Sequence, residues 1–230
     1  MSDALERGIA RQHAELARRL TAGMPRAGWK ICINDLRMQK RLGLTSSFPG
    51  FLNGALQLDD GGEWVVGETS VPAVEPEIAL RFGRAIAPGA DHRAIRAAIA
   101  GAAPALELVD WKDAKLDLES LAASSSFHAG FVVGSLAPLE TVPAIGDGCP
   151  RFVKGDEIAG IPDPSLVPSD LVGLVASVVA FLAPRGHAIA AGDWLICGAC
   201  TNPARVEAGD LVTADFGSPG AVSIRVRRNS

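Results

Sequence analysis

Val74-Glu75-Pro76-Glu77-Ile78-Ala79-Leu80-Arg81-Phe82 and Pro104-Ala105-Leu106-Glu107-Leu108-Val109-Asp110 are the two segments on which the reading of this chain turns. Residues 75–82 alternate between Pro72 and Gly83, and residues 105–109 form a short apolar run, so both read as strands. Residues two apart in a strand project from one face, so Glu75 and Glu77 point the same way. Like charges that close disfavour joint ionisation unless a cation lies between them. A solvated strand start explains the pair equally well. Glu107 is set among apolar neighbours, where an ionised carboxylate is costly unless paired or coordinated. An exposed edge strand, with Glu107 facing water between inward Leu106 and Leu108, stays open. Three carboxylates with no companion His or Cys suit a hard divalent cation, Mg²⁺, Mn²⁺ or Ca²⁺. Three protein ligands leave roughly half of an octahedral shell for substrate and water, which is a catalytic arrangement.

Working outward, residues 3–23 read as an amphipathic helix with Leu5, Ile9, Leu16 and Leu20 near helical spacing, closed by Gly23 and Pro25. Residues 28–33 read as a strand carrying one lysine, Lys30, and residues 35–43 as a short helix ended by Gly43. The Gly-, Ser-, Pro- and Asp-rich stretch 46–62 reads as loops around one short strand. Residues 91–100 and 168–182 read as helices, and 125–134, 189–197, 211–216 and 221–226 as further strands. The expected architecture is a mixed α/β or α+β fold, a rolled mixed β-sheet with flanking helices, in a single domain over 1–230.

The 230 residues suffice for a real core, and 48% apolar against 21% charged residues excludes a disordered chain. The net charge of −4 with no Lys/Arg block argues against nucleic acid as a partner. The longest apolar run, 171–183, is broken by Gly173 and Ser177 and is too short to span a bilayer. Charges through the first twenty residues leave no secretory apolar segment, so a cytoplasmic location is expected. Cys197 and Cys200 form a CxxC pair without a second ligand pair, which favours ordinary buried cysteines over a zinc or redox site. With no tyrosine present, a tyrosine acid or base is excluded. His13, His92 and His187 sit in polar or turn contexts and receive no role.

The two acidic segments together resemble the fumarylacetoacetate hydrolase superfamily, in its 2-keto-4-pentenoate hydratase and 4-oxalocrotonate decarboxylase branch. The resemblance extends to Gly28-Trp29-Lys30-Ile31, Leu42-Gly43-Leu44 before Gly50-Phe51-Leu52, and 127–134 (Phe-His-Ala-Gly-Phe-Val-Val-Gly). Gly192-Asp193 ahead of Gly198, and Gly209-Asp210, complete it over residues 28–226. It implies the fold of that superfamily's C-terminal domain, Glu75, Glu77 and Glu107 as ligands of Mg²⁺ or Mn²⁺, and Lys30 beside a bound 2-oxo acid. It also implies a homo-oligomer, with helix 168–182 as one candidate interface. Burial lowers a lysine's pKa and a substrate anion raises it, which poises Lys30 for proton transfer; a surface lysine packed along the sheet is the other reading.

Three departures from the branch stand out. Ala55 replaces an acidic residue, Ala123-Ser124-Ser125 replaces Ala-Asp-Asn, and Cys197-Gly198 replaces Thr-Gly. Ser124, Ser125 or Ser126 can stand in for the missing amide at the substrate, and His128 can line the pocket as an acid or base or be a structural histidine. The expected activity is a metal-dependent lyase on a small 2-oxo or 2-hydroxydienoic acid, a hydratase first and a decarboxylase second. A C–C hydrolase requires a His–Glu pair that the sequence does not display, and a catalytically weak 2-oxo acid-binding relative is the non-enzymatic alternative. Loops 46–62 and 145–165 are expected to set the substrate tail.

Overall fold

The computed structural model describes residues 2–146, 148–167 and 169–229; Asp147, in loop 145–165, and Pro168, the expected start of helix 168–182, lie outside them. Along the chain come α1 (Asp3–Thr21), β1 (Arg26–Cys32), α2 (Leu36–Leu42), β2 (Phe48–Asn53), β3 (Gln57–Leu58), β4 (Glu63–Val66) and β5 (Pro72–Phe82). They are followed by α3 (His92–Ala98), β6 (Ile99–Asp110), α4 (Leu118–Ala123), β7 (His128–Val133), β8 (Arg151–Lys154) and β9 (Glu157–Gly160). The C-terminal part holds α5 (Leu171–Leu182), β10 (Trp194–Ala199), β11 (Ala204–Arg205), β12 (Leu211–Asp215) and β13 (Ala221–Arg228).

The strands form two sheets. The larger runs β2-β1-β10-β5-β6-β7-β3 with β11 added beside β5, and the smaller runs β4-β13-β12-β8-β9. The fold is the expected mixed α/β curl, but the expectation of one sheet missed the second. Its members β4, β8 and β9 are four-residue strands in polar company, too short to show a period. The stretch 46–62 holds two strands rather than one, because β2 pairs antiparallel with β1 and β3 pairs with β7.

Strands β5 and β6 form the spine, antiparallel from Pro72 opposite Asp110 to Arg81 opposite Gly101. Their two faces bury different things. Val74, Ile78, Leu80, Leu106 and Leu108 join the main core with Phe152, Val175, Val212 and Ile224, which belong to the smaller sheet and α5. The other face carries Ala79 and Ala105, which pack with Leu52, Phe131 and Ile196 inside the curl of the larger sheet itself. Small side chains there let the curled sheet close on itself at interior density.

Helix α1 is capped by Ser2, whose hydroxyl accepts from the Leu5 amide. Its buried stripe is Leu5, Ile9, Gln12 and Leu16, whereas Leu20 is half exposed. Gln12 takes the inward place because its Nε2 donates to the Ala122 carbonyl at 2.7 Å. Gly8 makes the contact with α4 possible, since a Cβ there would lie 2.6 Å from the Ala122 Cβ. Among the described residues no helix is long and apolar enough to cross a membrane.

His13 of α1 meets His187 edge to face at 4.3 Å, and Trp29 packs on His187 at 5.5 Å. Burial, then His187 and Arg185, push the His13 pKa down to about 4. A histidine depressed in the folded state contributes its full stability above its unfolded pKa of about 6.5 and loses it as pH falls towards 4. With a discount for partial exposure, wild type should lose about 1–2 kcal/mol more than His13→Gln between pH 7.5 and 4.5. Urea midpoints at the two pH values measure this; parallel losses would contradict it.

Candidate metal centre

Register brings the acids together. Glu75 lies directly opposite Glu107 across the β5–β6 ladder, and Glu77 lies opposite Ala105. Directly opposed residues share a face of an antiparallel pair, so all three carboxylates emerge on the face inside the curl. One oxygen from each lies within 4.8 Å of the other two. Neither bland alternative survives. Glu75 and Glu77 are in the middle of an eleven-residue strand, not at a solvated start. Glu107 is fully buried, as are Leu106 and Leu108, because β5 and β7 flank β6 on both edges.

Lys30 is 2% exposed, which rules out the surface reading. Its Nζ lies 2.6 Å from Glu107 Oε1 and donates to the Ser125 carbonyl at 3.2 Å. His128 Nδ1 lies 3.0 Å from the same Glu107 oxygen, so the ring donates to a carboxylate that accepts twice on one atom. The expectation of no histidine beside the acids is corrected here: His128 is far from Glu107 in sequence and adjacent across β6–β7, where Val109 pairs with His128. Glu77 Oε2 accepts the Gly198 amide at 2.6 Å. That amide is free because β10 shifts register between Ile196 and Ala199 and Gly198 adopts φ 111°, a conformation open to glycine.

The expected strand 125–134 begins only at His128. Ser125, Ser126 and Phe127 instead form a left-handed turn with φ of 51°, 58° and 64°. Such runs are costly and collect at functional sites; here the turn aims the Ser125 carbonyl at Lys30. The Ser124 hydroxyl is spent on the end of α4, donating to the Ser120 carbonyl at 2.9 Å and accepting from the Phe127 amide. Ser126, rather than Ser124 or Ser125, lines the cavity over the carboxylates, while Ser125 Oγ is enclosed against Gly50 and Cys32. His128 is likewise enclosed behind Glu107, with a buried Nε2 that has no partner.

Electrostatics divides the three acids. Burial, then Glu107, pushes Glu75 up to about 7, and burial with both neighbouring carboxylates lifts Glu77 well above the usual range. Glu107 is buried too, yet Lys30 and the His128 hydrogen bond hold it below the usual range. Burial works against charge on Lys30, but Cys32 and the three glutamates outweigh it and keep the ammonium. Cys197 and Cys200 are buried free thiols pushed upward by burial, consistent with ordinary interior cysteines.

The second oxygen of Glu107, Oε2, is buried without any hydrogen-bond partner. A buried carboxylate oxygen left bare is expensive. Three carboxylates against one ammonium leave two negative charges, the complement of a divalent ion, and an all-oxygen donor set suits a hard one. The residues present therefore fit such an ion. Above them opens a cavity of about 560 Å³ lined by Lys30, Glu75, Glu77, Ser126, Trp111 and Arg205, among others. Trp111 and Arg205 carry no motif in the sequence; each follows or forms a strand end beside β5, and only pairing places them here. Ala55 lies in a turn capped by Asn53, whose side chain accepts from the Ala55 amide at 3.1 Å.

No family model matches the chain. It is 26% identical over 214 residues to a 4-oxalocrotonate decarboxylase from Pseudomonas sp, covering 92% of this chain and 83% of that protein. It is 28% identical over 229 residues to the TodF product hydratase of Pseudomonas putida, covering 95% and 83%. Among solved structures it superposes with a TM-score of 0.82 and 26% identity on the 4-oxalocrotonate decarboxylase of Pseudomonas putida G7 complexed with magnesium and adipate, over 94% of this chain and 83% of that one. These relatives support placing the chain with the fumarylacetoacetate hydrolase superfamily, in its decarboxylase and hydratase branch.

Gly198→Ala tests the bulge. A Cβ there would lie 2.9 Å from the Asn34 side chain at a φ that alanine resists, so the variant should lose about 1–3 kcal/mol. Chemical denaturation measures the loss; an unchanged midpoint would show that Gly198 is not needed to satisfy Glu77.

Proposed function

We propose that this chain is a metal-dependent lyase acting on a small 2-oxo acid, with Glu75, Glu77 and Glu107 as the metal ligands and Lys30 as the catalytic acid–base group. The observation that carries the reading is the buried, partnerless Glu107 Oε2 beside two acids that burial keeps from ionising freely. A divalent cation supplies Lewis acidity towards the adjacent carboxylate and carbonyl oxygens of a 2-oxo acid.

The chain's own groups do the rest. Glu107 orients Lys30 through Oε1, His128 fixes Glu107, and the Gly198 amide fixes Glu77. The Lys30 ammonium stands where negative charge collects when a substrate dienolate forms, and its Nζ can return a proton to substrate carbon. In decarboxylation the bond to a distal carboxylate breaks, the electron pair moves along the conjugated chain to the 2-oxo oxygen, and carbon dioxide leaves. In hydration, water adds across the distal double bond instead.

Sequence alone put the hydratase first. The decarboxylase takes that place here, because the relatives named above include decarboxylases, and one is complexed with magnesium and adipate, a six-carbon diacid. A C–C hydrolase is not favoured, since the His128–Glu107 pair faces Lys30 and His128 Nε2 is enclosed, leaving no His–Glu pair aimed into the cavity among the described residues.

The test is Mg²⁺- or Mn²⁺-dependent carbon dioxide release from 2-oxohex-3-enedioate, with about 10²–10⁴-fold loss in Lys30→Ala. Consumption of 2-hydroxypenta-2,4-dienoate without carbon dioxide release would select the hydratase. Binding of metal and oxalate with no turnover of either would leave only the binding relative, and failure to bind metal would end the proposal. Because Glu75 and Glu77 must both give up a proton to a cation, metal affinity should rise with pH by up to about tenfold per unit for each proton released, and the Glu75 share of that rise should end near pH 7. Titration calorimetry from pH 5.5 to 8.5 measures this; a flat profile would remove Glu75 from the ligand set.

A further inference from the structure

The cavity has two cationic side chains among its described lining residues, Lys30 at its floor and Arg205 elsewhere on its wall. Lys30 is committed to Glu107, whereas Arg205 makes no ion pair with any described residue and stacks its guanidinium on the Trp111 ring at 4.2 Å. Arg205 pairs with Ala73 across β11–β5, two residues before Glu75. Opposed residues share a face, and residues two apart on a strand share it too, so Arg205 stands on the carboxylate face, displaced from Glu75 by about 6.7 Å along the strand. Trp111 reaches the same wall from the end of β6, where its amide donates to the Val71 carbonyl at 3.0 Å. The other acid on the wall, Asp35, is engaged by Arg37 at 3.2 Å.

We propose that Arg205, held on the face of Trp111, is the specificity-determining residue that binds the distal carboxylate of a 2-oxo diacid whose 2-oxo end sits at the three glutamates. This rests on the functional reading above. The spacing fits a six-carbon diacid, whose carboxyl carbons lie roughly 6 Å apart when C–C bonds of about 1.5 Å are extended. Arginine suits the task because its planar fork matches a carboxylate, and the aromatic stack removes freedom the side chain would otherwise lose on binding. The site is also compatible with carbon dioxide loss. A tight, buried ion pair would stabilise the carboxylate's charge against its passage into the carbon chain as carbon dioxide leaves, while an exposed arginine pairs only modestly.

The experiment compares Mg²⁺-loaded protein binding oxalate, 2-oxohexanoate and 2-oxoadipate, read by titration calorimetry and by Trp111 fluorescence. Wild type should prefer 2-oxoadipate over 2-oxohexanoate by about two- to fivefold, an exposed ion pair's worth. In Arg205→Gln the ratio should fall to near one, and in Arg205→Lys it should be intermediate. With 2-oxohex-3-enedioate, Arg205→Gln should raise KM without lowering kcat. If oxalate binds but wild type shows no diacid preference, or if Arg205→Gln keeps it, the Arg205 assignment is wrong while the 2-oxo acid reading stands. If no 2-oxo acid binds with Mg²⁺ present, both fall together.

Discussion

Everything at this site follows from placing three carboxylates on one interior face of a two-stranded ladder. Burial makes each charge expensive, and proximity makes the three together more so. The chain offsets part of that cost with a single buried ammonium. Lys30 contacts one oxygen of Glu107, and His128 shares that oxygen. What remains unbalanced, two acids and one bare oxygen, suits a divalent ion.

The surrounding fold can be understood as the means of holding that imbalance in place. Alanines at 79 and 105 let the larger sheet curl tightly around the acids, while the opposite face of β5 and β6 is anchored on the main core by Val74, Ile78, Leu106 and Leu108. A rigid floor is needed because ligands fixed near their working positions cost no reorganisation when an ion binds. The walls are made differently, from irregular backbone. The bulge at Gly198 and the left-handed turn at 125–127 each turn a backbone polar group inward, an amide to Glu77 and a carbonyl to Lys30. Two of the three departures that the resemblance marks, Cys197 and Ser124-Ser125, adjoin these segments, yet in both the polar atom delivered to the site belongs to the main chain.

Local pattern made much of this legible. Alternation over 75–82 and the apolar frame of Glu107 identified the spine strands, and the i, i+2 relation placed Glu75 and Glu77 on one side. Four of the five helices were read from periods and end signals, while α4, six residues long, was not. Four-residue strands such as β8 and β9 did not, since they are shorter than any period can be read over, and the turn at 125–127 did not, since serine and phenylalanine rarely adopt positive φ. His128 was named as a candidate without its partner, and Arg205 was not named, for another reason: their contacts depend on which strand lies beside them.

The sequence by itself determined which residues carry charge, that the two acidic segments are strands, and that Glu75 and Glu77 project from one side, because those follow from composition and a period of two. Tertiary structure alone decided that Glu107 stands across from Glu75, that Lys30 and His128 converge on one of its oxygens, and that Trp111 and Arg205 stand over the same face. Strand pairing joins residues distant along the chain through main-chain hydrogen bonds that are nearly the same for every side chain, so the register that assembles the site is set by the packing of the whole sheet and leaves no local mark.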